Sequence, residues 1–298
     1  MFKFSHKNKQ ILNNKEHQQQ LDEQGYVIIP FYSPEDIAHL SDFYHTHAPA
    51  RNSGFQPTTY NQSLDYRLQA SDIIKQTAAP YLGKYLKDYK TYMGSFIVKH
   101  ADKNSELGVH QDMTLVDESR FMGINIWSPL CDTTPENGAL YLIPGSHRLI
   151  PTYRNSNIQN IYEKHYDLIK RYMQPVYMKA GEAIIFDNSI LHFSPPNRSD
   201  KIRIATNVFI THQDATITIC YHDKEKHKIE LFEQEDDFFI KYLQFDHSRN
   251  MIRPEMGKSI GFAEYDFPTL TPEFMEARYG KLPKESWFSK LKKYVHSL

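Results

Sequence analysis

The chain has 298 residues, 24% charged and 40% hydrophobic, with 35 Lys and Arg against 36 Asp and Glu. That length buries one large core or two modest ones, and the composition excludes collagen-like, coiled-coil and disordered classes. A formal net charge of −1 gives no whole-protein basic field, so nucleic acid is not expected as a partner. Cys131 and Cys220 are the two cysteines, too few for a disulfide framework and suited to a reducing compartment. The basic start lacks an apolar h-region and no stretch approaches 18 apolar residues, so a cytoplasmic protein without a transmembrane segment is expected.

In chain order, no repeat or low-complexity linker divides the sequence, and we expect a single domain over 1–298. Its helical N-terminal part covers 15–89. Within it, residues 15 to 24 look helical, Tyr26 to Ile29 reads as a short strand stopped by Pro30, and Ser33-Pro-Glu-Asp starts a helix to about His47. Polar residues 49 to 66 read as a loop, followed by a helix across Ser71 to Tyr89. From about 90 to 222 the apolar runs become short, β-branched and aromatic, the pattern of a β-sandwich or barrel core. A helical insertion at about 159–173 interrupts this core and is a candidate lid. The C-terminal extension 233–298 looks helical, from Glu233 to His247 and again from Glu285 to Leu298. In its last stretch Trp287, Leu291, Tyr294, Val295 and Leu298 share a face beside Lys290, Lys292 and Lys293. The expected class is mainly β, with flanking α-helices.

Four His-x-Asp triplets occur: His100/Asp102, His110/Asp112, His165/Asp167 and His212/Asp214. About two acidic triplets are expected by chance in a chain with this many histidines, so context must choose. At a strand end, residues i and i+2 face one side and offer an imidazole and a carboxylate to one point. A third ligand from a distant strand completes a facial triad with three open positions for an octahedral Fe(II). His192 lies just past the apolar strand Ala183 to Phe186, and Arg203 opens the next. His165/Asp167 falls in the helical insertion and reads as a solvated face. His212/Asp214 repeats the His-Gln-Asp triplet at a strand end and stays a rival.

Six blocks then follow in order: His110-Gln111-Asp112, Trp127-Ser-Pro129-Leu130, Glu136-Asn137-Gly138-Ala139-Leu140, Pro144-Gly145-Ser146-His147, His192-x-Ser194, and Arg203 eleven residues beyond His192. Over roughly Gly25 to Ile210 the sequence resembles the phytanoyl-CoA dioxygenase family of Fe(II)/2-oxoglutarate-dependent oxygenases. The resemblance implies a double-stranded β-helix, or jelly roll, with His110, Asp112 and His192 as iron ligands. It implies Arg203 as partner of the far carboxylate of 2-oxoglutarate, Ser194 as its hydrogen-bonding neighbour, and Gln111 and Trp127 beside the cosubstrate. Arg suits that role because its planar fork meets a carboxylate bidentately.

The implied function is hydroxylation of an unactivated C–H bond of a small organic molecule, consuming 2-oxoglutarate and dioxygen and releasing succinate and CO2. Asp112 fills the position that a halogenase of this kind leaves free for halide. The small-molecule substrate is left among a polar metabolite, an amino-acid derivative and an acyl thioester, with the polar metabolite preferred. Two other classes stay open: a non-catalytic jelly-roll ligand-binding protein, and a cupin-type metalloenzyme of another reaction class, which would have no use for Arg203 at that spacing.

Overall fold

The computed structural model describes residues 10–48, 53–149, 152–155, 157–242, 257–264 and 270–280. Helix α1 (Lys15–Gln24) starts at Asn14, whose side chain accepts from His17 N, and stops at Gly25, where φ is 82°. Only glycine suits that site, since a Cβ would also lie 2.5 Å from His147 Nδ1. Strand β1 (Tyr26–Pro30) follows. Ser33 and Asp36 then form a reciprocal capping box with Pro34 in the first turn, which nucleates α2 (Pro34–His47).

The segment expected as a loop holds a short strand, β2 (Phe55–Pro57), and the 3-10 turn Thr58–Tyr60. Helix α3 (Leu64–Tyr85) begins seven residues earlier than its apolar spacing suggests and ends earlier too. Two causes act at its start. Ser63 caps it by accepting from Tyr66 N, and the buried Arg67 ties its first turn to the carbonyls of Asn61, Ile240 and Lys241.

The β-core comprises β3 (Tyr89–Lys99), β4 (Leu107–His110), β5 (Ile124–Pro129), β6 (Leu140–Leu142), β7 (Gln174–Val176), β8 (Glu182–Asp187), β9 (His192–Ser194) and β10 (Arg203–His212). They form two antiparallel sheets, one ordered β1-β8-β5-β10-β3-β2 and the other β4-β9-β6-β7. From β4 to β10 the chain passes repeatedly between the sheets, which is the winding of a double-stranded β-helix.

Residue alternation decides what each face of the larger sheet does. Ile124, Ile126, Val208 and Ile210 pack outward under α1, α2 and α3, with Leu21, Leu40, Ile74 and Leu82. Trp127, Ile184, Phe186 and Ala205 turn inward against Leu140, Leu142 and Val176 of the smaller sheet. Burying one such aliphatic side chain is worth about 1.5–3 kcal/mol, and these two layers supply the core.

One expectation is met in part, the helical insertion, and one needs correction, the helical C-terminal extension. The insertion at 159–173 contains only the turn Glu163–His165 and the short helix α4 (Tyr166–Lys170). Its Tyr162, Ile169 and Met173 are buried against Val109, Tyr141, Leu191 and Phe193, so it is a packed cover on the smaller sheet. The C-terminal extension 233–298 is not wholly helical. Glu233 and Gln234 close β12 (Lys228–Gln234), which lies between β11 (Ile217–Asp223) and β13 (Lys258–Glu264) in a third antiparallel sheet. The first two residues of the expected helix, Glu233 and Gln234, pair instead with Thr218 and Ile217 of β11, and that pairing outweighs local helix propensity. Among the described residues, the helices in that region are the single turn α5 (Phe238–Lys241) and Pro272–Tyr279. The expected helix at 285–298 lies outside the described residues. Among the described residues, no helix is long and apolar enough to cross a membrane.

Candidate functional site

His110 ends β4, His192 starts β9, and the two stand opposite each other in the ladder. Their ring centroids are 4.1 Å apart. Asp112 follows beyond the strand end, where its backbone N–H donates to Asn188 O at 2.8 Å. Its carboxylate lies 3.5 Å from His110 Nε2 and 3.9 Å from His192 Nε2. One donor atom from each residue falls within 4.8 Å of the others, the one such cluster of three metal-binding side chains among the described residues.

The tautomers are set from behind. His110 Nδ1 meets Gly108 O at 2.7 Å and His192 Nδ1 meets Ile190 O at 3.0 Å. A carbonyl only accepts, so both Nδ1 atoms carry a proton and each Nε2 is the ring nitrogen that faces the cluster. Burial, reinforced by His110, pushes the His192 imidazole down to about 4 and keeps it neutral. Burial opposes charge on Asp112, yet positive charge on its neighbours, His192 and His110 when protonated and Arg154 always, outweighs it and holds the carboxyl below its ordinary value.

Several supporting residues went unread in the sequence. Asn125 on β5 donates from Nδ2 to Asp112 Oδ2 at 2.7 Å and to Asn188 Oδ1 at 2.6 Å, and its Oδ1 accepts from Asn207 on β10. The buried Arg154 donates from Nε to Asp112 O at 2.6 Å and pairs through Nη1 with Glu118 at 2.9 Å. The available signal was a polar residue inside an apolar strand, Ile-Asn-Ile-Trp and Ala-Thr-Asn-Val-Phe.

A cavity of about 270 Å³ opens on the cluster and is also lined by Gln111, Trp127, Ser194 and Arg203. Arg203 is 2% exposed. Its Nη1 donates to Gly138 O at 2.7 Å, its guanidinium lies 5.2 Å from the Trp127 ring centre, and its buried Nε has no hydrogen-bond partner. Burial pushes its pKa down to about 10, leaving it cationic at neutral pH. Ser194 Oγ donates to the same Gly138 carbonyl at 2.7 Å.

Directly across the ladder, Lys99 is fully buried. Burial drives its amine down to about 6, but Nζ sits 2.6, 2.8 and 2.6 Å from the carbonyls of Ser105, Ser194 and Pro195. Only an ammonium can donate to all three. Gln111 is held on both ends of its amide, donating to Ser189 O and accepting from Thr152 and from Tyr162 Oη at 2.8 Å.

The remaining triplets lie apart from this cavity. His212 stacks on Phe121 at 5.8 Å, and its Nδ1 accepts from Asp214 N. Asp102 caps the turn at Asn104 and accepts from Gly54 N. His165 and Asp167 sit in the packed insertion.

Residues 21–205, more than half of the chain, match the family model described as phytanoyl-CoA dioxygenase. Among curated proteins, the chain is 30% identical over 164 residues to a phytanoyl-CoA dioxygenase domain-containing protein 1 homolog of Dictyostelium discoideum, covering 52% of this chain and 53% of that protein. It is 30% identical over 134 residues to phytanoyl-CoA dioxygenase domain-containing protein 1 of Danio rerio, covering 41% and 45%. The matches thus span about half the length of these relatives. Among solved structures it is similar to the non-heme alpha ketoglutarate dependent carbocyclase SnoK from nogalamycin biosynthesis, at 20% identity and TM-score 0.49 over 68% of this chain and 86% of that one. AviO1 from Streptomyces viridochromogenes Tue57 aligns at 18% identity and TM-score 0.47 over 68% and 97%.

Proposed function

This chain belongs to the phytanoyl-CoA dioxygenase family, and from that premise we propose that it is an Fe(II)- and 2-oxoglutarate-dependent dioxygenase. In this reading it hydroxylates an unactivated C–H bond of a small organic molecule and releases succinate and CO2. The observation that carries the reading is the meeting, in one cavity, of two imidazoles, one carboxylate and a buried guanidinium.

The donor set fits the group. Two imidazoles and a carboxylate on one face suit Fe(II) and leave three positions open. Arg203 is a buried cation with an unpartnered Nε, which suits one carboxylate of a small dicarboxylate. When bound, iron would supply the oxidising chemistry, with 2-oxoglutarate and dioxygen as co-reactants.

The chain's own residues position and enclose. His110, Asp112 and His192 hold the metal, with Nδ1–H bonds to backbone carbonyls keeping the imidazoles aimed. Arg203 binds the far carboxylate of 2-oxoglutarate, and Ser194 shares the Gly138 carbonyl that orients the guanidinium. Trp127 covers the guanidinium face and, with Gln111, walls the cosubstrate from water. The whole chain acts as one catalytic domain, in the cytoplasm, where Cys131 and Cys220 stay free.

The test is an anaerobic titration of Fe(II) and 2-oxoglutarate, read by the visible charge-transfer absorbance, paired with succinate formation in air. Replacing His110, Asp112 or His192 by Ala should abolish both signals, while His212→Ala and Asp214→Ala retain them. Arg203→Ala should raise the 2-oxoglutarate midpoint roughly 30-fold to several thousand-fold, the cost of losing a desolvated charge pair. The exposed Arg198 and Lys201 should tolerate Ala. Full activity in His110→Ala, or absence of any 2-oxoglutarate-dependent absorbance in the wild type, would overturn the proposal in favour of a binding protein or another metalloenzyme.

A further inference from the structure

Strand β10 changes character along the cavity. Arg203, Asn207 and Phe209 line it, and their ladder partners on β3 are Lys99, Ser95 and Met93. One end of the wall is therefore doubly cationic and the other apolar. Asn207 lies between them, four residues and about 13 Å of extended chain from Arg203. Met113 and Leu115 complete the apolar end, packed in one cluster with Met93 and Phe209.

The charges of this cavity all have work elsewhere. His110, Asp112 and His192 form the cluster, Lys99 is spent on three carbonyls, and Arg203 faces the cosubstrate end. Among the described residues, no charged side chain remains at the Phe209 end. An ionic group placed there would lose its hydration without a partner.

Asn207 adds a polar requirement, and its orientation follows from Asp112. A carboxylate only accepts, so the Asn125 atom 2.7 Å from Asp112 Oδ2 is the amide nitrogen. Asn125 Oδ1 then faces β10 and must receive the Asn207 nitrogen. The relay leaves Asn207 Oδ1 as the remaining end of the amide. That oxygen is buried and has no hydrogen-bond partner, on a residue that is 5% exposed. Buried acceptors are rarely left in this state, and a ligand donor at the site would satisfy it.

We propose that the substrate is an uncharged, largely apolar molecule bearing one hydroxyl or N–H group, which donates to Asn207 Oδ1 while Phe209, Met93, Met113 and Leu115 enclose the apolar part. The inference rests on the cosubstrate reading above, which reserves Arg203 for 2-oxoglutarate. It narrows the substrate to a class less polar than the metabolite favoured by sequence, and makes Asn207 a specificity residue. A site built around a substrate donor rejects the analogue lacking it far better than an apolar pocket rejects an extra methylene.

The experiment is equilibrium dialysis without oxygen, on the full chain loaded with Fe(II) and saturating 2-oxoglutarate. The probes are 2-naphthol, its methyl ether 2-methoxynaphthalene, and the anion 2-naphthoate. We expect 2-naphthol to bind about 10-fold more tightly than either analogue, equivalent to about 1.4 kcal/mol. In Asn207→Leu the two neutral probes should bind equally, because the acceptor is gone. Equal binding of 2-naphthol and its methyl ether to the wild type would overturn the proposal without recourse to any variant. So would tighter binding of 2-naphthoate under saturating 2-oxoglutarate, or an undiminished preference in Asn207→Leu. If the Fe(II)/2-oxoglutarate absorbance is missing but the 2-naphthol preference persists, the cosubstrate reading falls and the Asn207 subsite stands. If the absorbance forms and the preference is absent, this inference falls alone.

Discussion

Asn125 sits where the alternation of β5 would place an apolar side chain, and its one amide nitrogen serves both Asp112 and Asn188. Asn125→Leu keeps the volume and removes that restraint, freeing the carboxylate to rotate. Outer contacts of this kind are worth about 10–100-fold in metal affinity. A Mn(II) titration followed by electron paramagnetic resonance should show a loss of that size, and an unchanged midpoint would make Asn125 a packing residue. His192 carries a pH signature in the metal-free protein. Its folded pKa of about 4 lies below the 6.5 of a free histidine, so between those values the unfolded chain binds the extra proton. Stability is therefore full above about pH 6.5 and declines as pH falls toward 4, by about 3 kcal/mol at most. Urea unfolding across that range should show the slope in the wild type and lose it in His192→Asn. The cluster of His110, Asp112 and His192 was legible because His110 and Asp112 are two residues apart and carry their own blocks. Asn125 and Lys99 were not, since their partners are distant in sequence and a single polar residue in a strand has no periodic signature.

At the scale of elements, the insertion at 159–173, expected as a candidate lid, is packed down, while the β2 region, expected as a plain loop, lines the cavity. Asn160 donates to Val109 O, Tyr162 Oη donates to Gln111, and Ile169 is fully buried, so the insertion is fastened behind the site. By contrast Phe55, Pro57, Thr59 and Tyr60 line the cavity from a three-residue strand and a single helical turn. Short elements open at low free energy, and binding loops are drawn from that class. Hydrogen exchange should therefore slow at residues 53–61 when Fe(II), 2-oxoglutarate and a bound neutral probe fill the cavity, with little change at 159–173. The opposite pattern would restore the insertion as the lid. Helices α1 and α2 were readable because Asn14, Ser33 and Pro34 advertise their starts locally. The third sheet was not, because β12 pairs with β13 across a long connection and the alternating Lys258–Glu264 carries little apolar weight.

For the molecule as a whole, the site is divided between the two sheets of the β-helix. His110 and His192 belong to the smaller sheet, while Arg203 and Asn125 belong to the larger one. On the proposed reading, metal alone would engage mainly the first, and a dicarboxylate held at Arg203 would engage the second. A cosubstrate bound to both links the sheets, so each ligand should tighten the other by the same factor. Couplings of this sort are typically 1–3 kcal/mol, and at this chain length 1 kcal/mol moves the melting temperature by about 2 °C. Melting curves with Mn(II) alone, 2-oxoglutarate alone and both together should then show a combined rise exceeding the sum of the two by roughly 2–6 °C. In Arg203→Ala the Mn(II) increment should persist and the excess vanish, because the metal cluster stays intact while the hold on the larger sheet is lost. Strict additivity in the wild type would mean that the two ligands do not meet, and that Arg203 serves some anion other than a metal-bound cosubstrate.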